Sequence, residues 1–153
     1  METVMADYYT NFSCLLAIPR EHKDLVKRLL VHEEDPIEVI DFPSGEESPQ
    51  FGWQWEGETV HGGKPRPEDE WLWIYSDGCG NVDDVCAFVA YVQKRFQLDE
   101  PFVIEWSNSC SKPRLDAFGG GVCIVYRGKE SFMNTGTWRD RFLKKLEKRK
   151  CDK

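Results

Sequence analysis

Glu70-Trp-Leu-Trp-Ile-Tyr-Ser-Asp-Gly-Cys-Gly-Asn-Val-Asp-Asp-Val-Cys-Ala-Phe-Val-Ala-Tyr-Val-Gln-Lys-Arg-Phe96 contains both periods from which a mixed fold is built. Its first part alternates. Trp71, Trp73 and Tyr75 share one side and Leu72 and Ile74 the other, which predicts a strand over Glu70 to Ser76. Asp77 to Asn81 reads as a turn. Val82, Val85, Cys86, Val89, Val92 and Phe96 then recur at helical spacing, so a helix is expected from about Val82 to Phe96. Asn81 is a natural N-cap, and Asp83 and Asp84 sit in the favourable first turn.

The same two periods organise the rest of the chain. Tyr8 to Ile18 predicts a strand ended by Pro19, with Phe12, Cys14, Leu16 and Ile18 on one face. Glu21 to Glu33 predicts a short helix with Leu25, Val26, Leu29 and Leu30 inward. Asp35 to Gln50 is rich in Pro and reads as an irregular connection, with a short extended piece at Ile37 to Ile40. Phe51 to Glu58, Phe102 to Ser107 and Gly121 to Arg127 read as strands, and Phe132-Met133 as a short one. Gly57 to Glu70, with Gly62-Gly63, reads as a polar, mobile loop. Thr137-x-x-Asp140 resembles a capping box and opens a last helix with Trp138, Phe142, Leu143 and Leu146 inward.

Strand, helix, strand, strand, helix, strand is the order of the split β-α-β, ferredoxin-like motif. The expected class is therefore α+β: a mostly antiparallel sheet with helices on one face, a β-α-β-β-α-β core, an extra strand and a C-terminal helix. Residues 1–7 are expected to be a flexible N-terminus and residues 8–150 a single domain. One sheet face is then free to display Trp and Tyr side chains, or the tail helix and loops cover it. Trp53, Trp55, Trp71 and Trp73 are the candidates for a partner surface.

Composition narrows the chemistry. The chain has 153 residues, is 41% hydrophobic, and holds 6 Trp, 9 Phe and 5 Tyr, which suffices for a real core. No apolar run approaches the roughly 20 residues of a membrane-spanning helix. The first residues are acidic where a secretory signal is basic, so no export signal is expected. Six cysteines occur without any C-x-x-C pair, and Cys14, Cys86 and Cys123 fall on apolar faces. Reduced thiols, a cytoplasmic location, no metal and no cofactor are the expectation.

The net charge is −7, and it is split. From Trp138 to Lys153 eight basic residues face three acids, so the rest of the chain carries −12. Such a body repels nucleic-acid phosphates, and nucleic acid is disfavoured as a partner. The plain reading of the acids is a solvated surface; the sharper one is an acidic face for a basic partner. The basic tail, in turn, complements the dipole of a helix C-terminus.

One loop stands apart: Cys110-Ser-Lys-Pro-Arg-Leu-Asp-Ala-Phe-Gly-Gly-Gly121 joins two strands. Lys112, Arg114 and the backbone amides of the turn could hold an anion. Asp116 could instead pair with Arg114. Gly119, Gly120 and Gly121 either admit a ligand to the backbone or permit a sharp turn or bulge. Cys110 is the weak candidate for a nucleophile, since cations lower a thiol's pKa, but it needs His32 or His61 as a base. The Gly-Lys-Ser/Thr of a phosphate-binding P-loop is absent, and so are a Ser-centred elbow, a zinc-protease signature and a dinucleotide fingerprint.

With Tyr9-Thr-Asn-Phe12, the run Glu105 to Gly121 resembles a group of uncharacterised bacterial, phage and mobile-element proteins sharing a C-S-K-P-R-x-D-x-F-G-G-G loop. The resemblance implies no activity and no catalytic residues; it implies a small protein acting on a host or defence protein. The expected function is non-enzymatic binding of a macromolecule, foremost a protein, with oligomeric state open. The alternative is a small-anion binder or hydrolase using the Cys110–Gly121 loop.

Overall fold

The computed structural model describes residues 7–34, 36, 38–56, 69–112, 114 and 117–152. The expected N-terminal tail, the polar loop with His61 and Gly62-Gly63, and Asp116 lie outside the described residues, wholly or nearly so. Among these residues, six strands and three α-helices follow one another: β1 (Tyr8–Pro19), a 3-10 turn (Arg20–His22), α1 (Lys23–Leu30), β2 (Gly52–Glu56), β3 (Asp69–Gly78), α2 (Val82–Phe96), β4 (Phe102–Cys110), β5 (Gly119–Tyr126), β6 (Lys129–Asn134) and α3 (Thr135–Cys151). The strands form one sheet in the order β2-β3-β1-β4-β5-β6, and all neighbours are antiparallel.

Alternation decides the faces. Phe12, Leu16 and Ile18 of β1, Leu72 and Ile74 of β3, Phe102 and Ile104 of β4, and Cys123 and Val125 of β5 are buried. They meet Val26, Leu29 and Leu30 of α1 and Val85, Cys86, Phe88, Val89 and Val92 of α2 in one cluster. Ile40 and Phe42 of the irregular connection join it, although its described residues form no strand. The opposite face, carrying Leu15, Trp73, Tyr75, Val103, Val122 and Ile124, meets neither helix through this cluster.

Three buried or part-buried polar groups fix the layers. Asn81 caps α2 by accepting from the Asp84 N–H at 3.1 Å. Gln93 is 2% exposed; its Nε2 donates to the Val125 carbonyl at 2.8 Å and the Glu100 carbonyl at 3.2 Å. Its Oε1 accepts from the Gly128 N–H at 3.0 Å, which ties α2 to the β5–β6 turn. Asp84 is fully buried and receives three donors from the connection between α1 and β2. The sequence places it among solvated surface and capping acids; its side chain instead lies inside the fold.

Several elements differ from expectation. α1 ends at Leu30, three residues early, where Val31 turns extended. β4 runs on to Cys110, because Tyr8 to Asn11 of β1 extend its ladder. β6 is a full six-residue strand, longer than the two residues its apolar pair suggests, because the whole of β5 from Gly121 pairs with it. α3 begins at Thr135 and is capped by Asn134, whose Oδ1 accepts from the Thr137 N–H at 2.8 Å; Thr137 is not the cap.

The largest difference concerns α3 itself. Trp138, Phe142, Leu143 and Leu146 do not point into a core: no residue of this helix is buried, and these four are 37–57% exposed. The helix starts one residue after β6 with no linker to fold it back over the sheet. No described helix is long and apolar enough to cross a membrane.

Candidate functional site

Two regions compete for function: the loop from Cys110 to Gly121 and the surface made by the open sheet face with β6 and α3. In the loop, Asp7 and Ser111 hold each other, the Ser111 N–H donating to the Asp7 carbonyl at 2.9 Å and the Asp7 N–H to Ser111 Oγ at 2.9 Å. The Arg114 N–H donates to the Lys112 carbonyl at 2.9 Å, and the Ala117 N–H to the Arg114 carbonyl at 3.3 Å. The Arg114 guanidinium is exposed and donates to the Tyr8 hydroxyl at 3.4 Å. Lys112 is half-buried.

The glycines answer to protein, not to open space. A Cβ on Gly120 would overlap the Trp106 carbonyl oxygen on β4. One on Gly121 would come within 2.5 Å of the Met133 carbonyl on β6 and of the Trp106 ring. Gly119 has φ +135°, in the region that favours glycine, and a Cβ there would lie 2.6 Å from Thr135 Oγ1. The three residues thus let β4, β5, β6 and the start of α3 converge. The register from Asn108–Gly119 to Phe102–Val125 is continuous and has no bulge.

Cys110 is half-buried and pairs with Tyr8. His22 follows Pro19, at the other end of twelve-residue β1, roughly 35 Å away at 3.3 Å per residue. It stacks on Phe96 at 4.2 Å. His32 lies 3.4 Å from Glu47. These two imidazoles are therefore engaged elsewhere, and His61 is outside the described residues. No group of three His, Cys, Asp or Glu side chains placed to hold a metal occurs among the described residues.

The four tryptophans divide between the faces. Trp53 and Trp55 of β2 are directly opposite Ile74 and Leu72 and pack against the core, so they belong to the helix side of the sheet. Trp71 and Trp73 lie on the other side, both half-buried. Trp73 donates from Nε1 to Ser13 Oγ at 2.9 Å, and its ring sits 4.2 Å from Tyr75 in a tilted pair.

Beyond them the open face becomes more apolar and more exposed. Val103 and Ile124 are directly opposite each other in the β4–β5 ladder and are 49% and 43% exposed. Val122 pairs with Met133 one step further along, and these two, with Gly121, Trp138 and Arg139, line an open groove of about 530 Å³ between the sheet and α3. Alternation at Val103 and Ile124 was readable in the sequence as strand pattern, but both faces of these strands carry apolar residues, so the pattern alone did not mark the exposed one. For α3 a signal existed. At about 100° per residue, Arg139, Arg149 and Lys150 fall among Trp138, Phe142, Leu143 and Leu146, which a core-facing stripe would exclude.

No family model matches the chain, and no curated protein or solved structure proved significantly similar to it.

Proposed function

We propose that this chain is a binding protein that engages another protein through the open face of its sheet. The observation that carries this reading is the apolar pair Val103 and Ile124, exposed side by side on the face that the core helices leave free. A cross-strand pair of this kind has Cβ atoms about 5 Å apart and offers a flat apolar contact. Trp73 and Tyr75 extend it across β1 as rigid aromatic anchors, the side chains that dominate protein interfaces. The resemblance of the Cys110–Gly121 loop to phage and mobile-element proteins makes a host or defence protein the partner class to test first. We also read β1-α1-β2-β3-α2-β4 as a ferredoxin-like core extended by β5, β6 and α3. The spatial order β2-β3-β1-β4 with antiparallel neighbours supports that reading.

The test is capture of partners by immobilised chain from a host lysate, followed by mass spectrometry. The double variant Val103→Glu/Ile124→Glu is expected to lose the captured protein while keeping its circular dichroism and melting temperature. Retention of the same partner by that variant and by Trp73→Ala would refute the open-face reading. So would tight binding of wild-type chain to duplex DNA with a steep salt dependence.

A further inference from the structure

Among the described residues β6 is an edge strand that pairs with β5, and all six of its residues are exposed. On its other edge no described strand pairs with its backbone N–H and C=O groups. Protected edges carry charges, prolines or bulges. β6 opens with the charged pair Lys129-Glu130, but its remaining residues, Ser131-Phe132-Met133-Asn134, have none of these: all four are uncharged, and the register against β5 is unbroken. Phe132 and Met133 are 47% and 40% exposed there. Directly after it comes α3, whose apolar stripe is uncovered and whose seven cations and two acids give the helix +5. The rest of the chain carries −12.

We infer that β6 and α3 form a self-association surface, in which β6 pairs antiparallel with β6 of a second copy and the apolar stripes of the α3 helices close over the junction. An antiparallel strand pair of identical segments is two-fold symmetric by construction, so the contact closes on itself as a dimer. The geometry also matches charges. In such a pair the end of one β6, where α3 begins, lies beside the start of the other. Arg139 and Arg141 of one copy then arrive near Glu130 of the second. Burial first, and then the negative charge of Asp83 on α2, raise the Glu130 carboxyl above its ordinary range, with Lys94 opposing them.

Strand pairing uses six residues a side, and the exposed apolar stripe of α3 adds to that contact. A second copy fits better than an anionic membrane or a nucleic acid. Both would attract α3, but both would repel the −12 body that must follow it, whereas a second copy offers that body as the counter-charge.

The experiment is sedimentation velocity on the full chain over a range of protein concentrations, with hydrogen exchange as the local readout. Wild type is expected to pass from 17.8 kDa to twice that mass. Amide protection in β6 should rise with the dimer. Leu143→Glu/Leu146→Glu and, separately, Phe132→Lys alter exposed positions and are expected to remain folded by circular dichroism. Each should weaken association by at least about tenfold. A wild-type chain that stays at single mass at every concentration overturns the inference. A dimer that ignores both variants, or whose β6 amides stay unprotected, does so too. Binding of α3 to anionic vesicles or DNA by a chain of single mass would assign the surface to that occupant instead. These readouts do not involve Val103 or Ile124, so they stand or fall apart from the open-face reading.

Discussion

Asp84, fully buried at the start of α2, accepts hydrogen bonds from both the backbone N–H of Ser44, at 2.9 Å, and its hydroxyl, at 2.7 Å. A third donor, the Gln50 N–H, reaches the same carboxylate at 2.9 Å. One side chain thus holds both ends of the stretch from Ser44 to Gln50, which has no regular structure of its own, and Phe42, just before it, packs in the core. The arrangement follows from local chemistry, since an acid in the first turn of a helix faces its positive end and can collect nearby amides.

Asp84→Ala leaves those donors without their acceptor and should lower unfolding stability by about 2–4 kcal/mol in chemical denaturation. Proteolysis of the native variant should begin between residues 43 and 50. A loss below about 1 kcal/mol, in the range of an ordinary surface substitution, would mean that the loop is held by its apolar contacts alone.

Glu38 gives a pH-dependent counterpart. The hydroxyl of Tyr91 and then the guanidinium of Arg95, whose Nε lies 2.9 Å from Glu38 Oε1, hold its carboxyl below the ordinary glutamate range. A depressed folded-state value means stabilisation that is present above the unfolded pKa and lost as the pH falls through the folded one. The melting temperature of wild type should exceed that of Glu38→Gln at neutral pH, and the two should converge in acid. An equal gap at every pH would show that the charge of Glu38 is irrelevant.

The thiols should react in two classes. Cys79 and Cys151 are exposed. Cys86 and Cys123 are buried, and burial raises both thiols above their ordinary value; that of Cys14 is pushed up to about 12 for the same reason. In the native protein a thiol reagent at neutral pH should label Cys79 and Cys151 within the mixing phase, leaving Cys14, Cys86 and Cys123 to react only at the rate of unfolding. Denatured protein should yield all 6 thiols. Early labelling of Cys86 would contradict the packing of α2 on β5.

Much of this molecule is local in origin and was therefore legible. The helix from Val82 to Phe96 has the predicted bounds because Asn81 caps it and its apolar spacing is unbroken. The strand alternation of Trp71 to Tyr75 likewise needs no distant information. What the chain could not state locally is which side of a strand meets helices. Trp53 and Trp73 sit in similar alternating runs, yet the antiparallel register sets Trp53 opposite buried Ile74 and leaves Trp73 on the other face. Asp84 looked like any first-turn acid until Ser44 and Gln50, more than thirty residues upstream, closed over it. α3 is the converse case: its apolar residues recur at helical spacing but with cations among them, and a helix that follows β6 without a linker has no core within reach. Period and capping are properties of neighbours in sequence; burial is decided by neighbours in space.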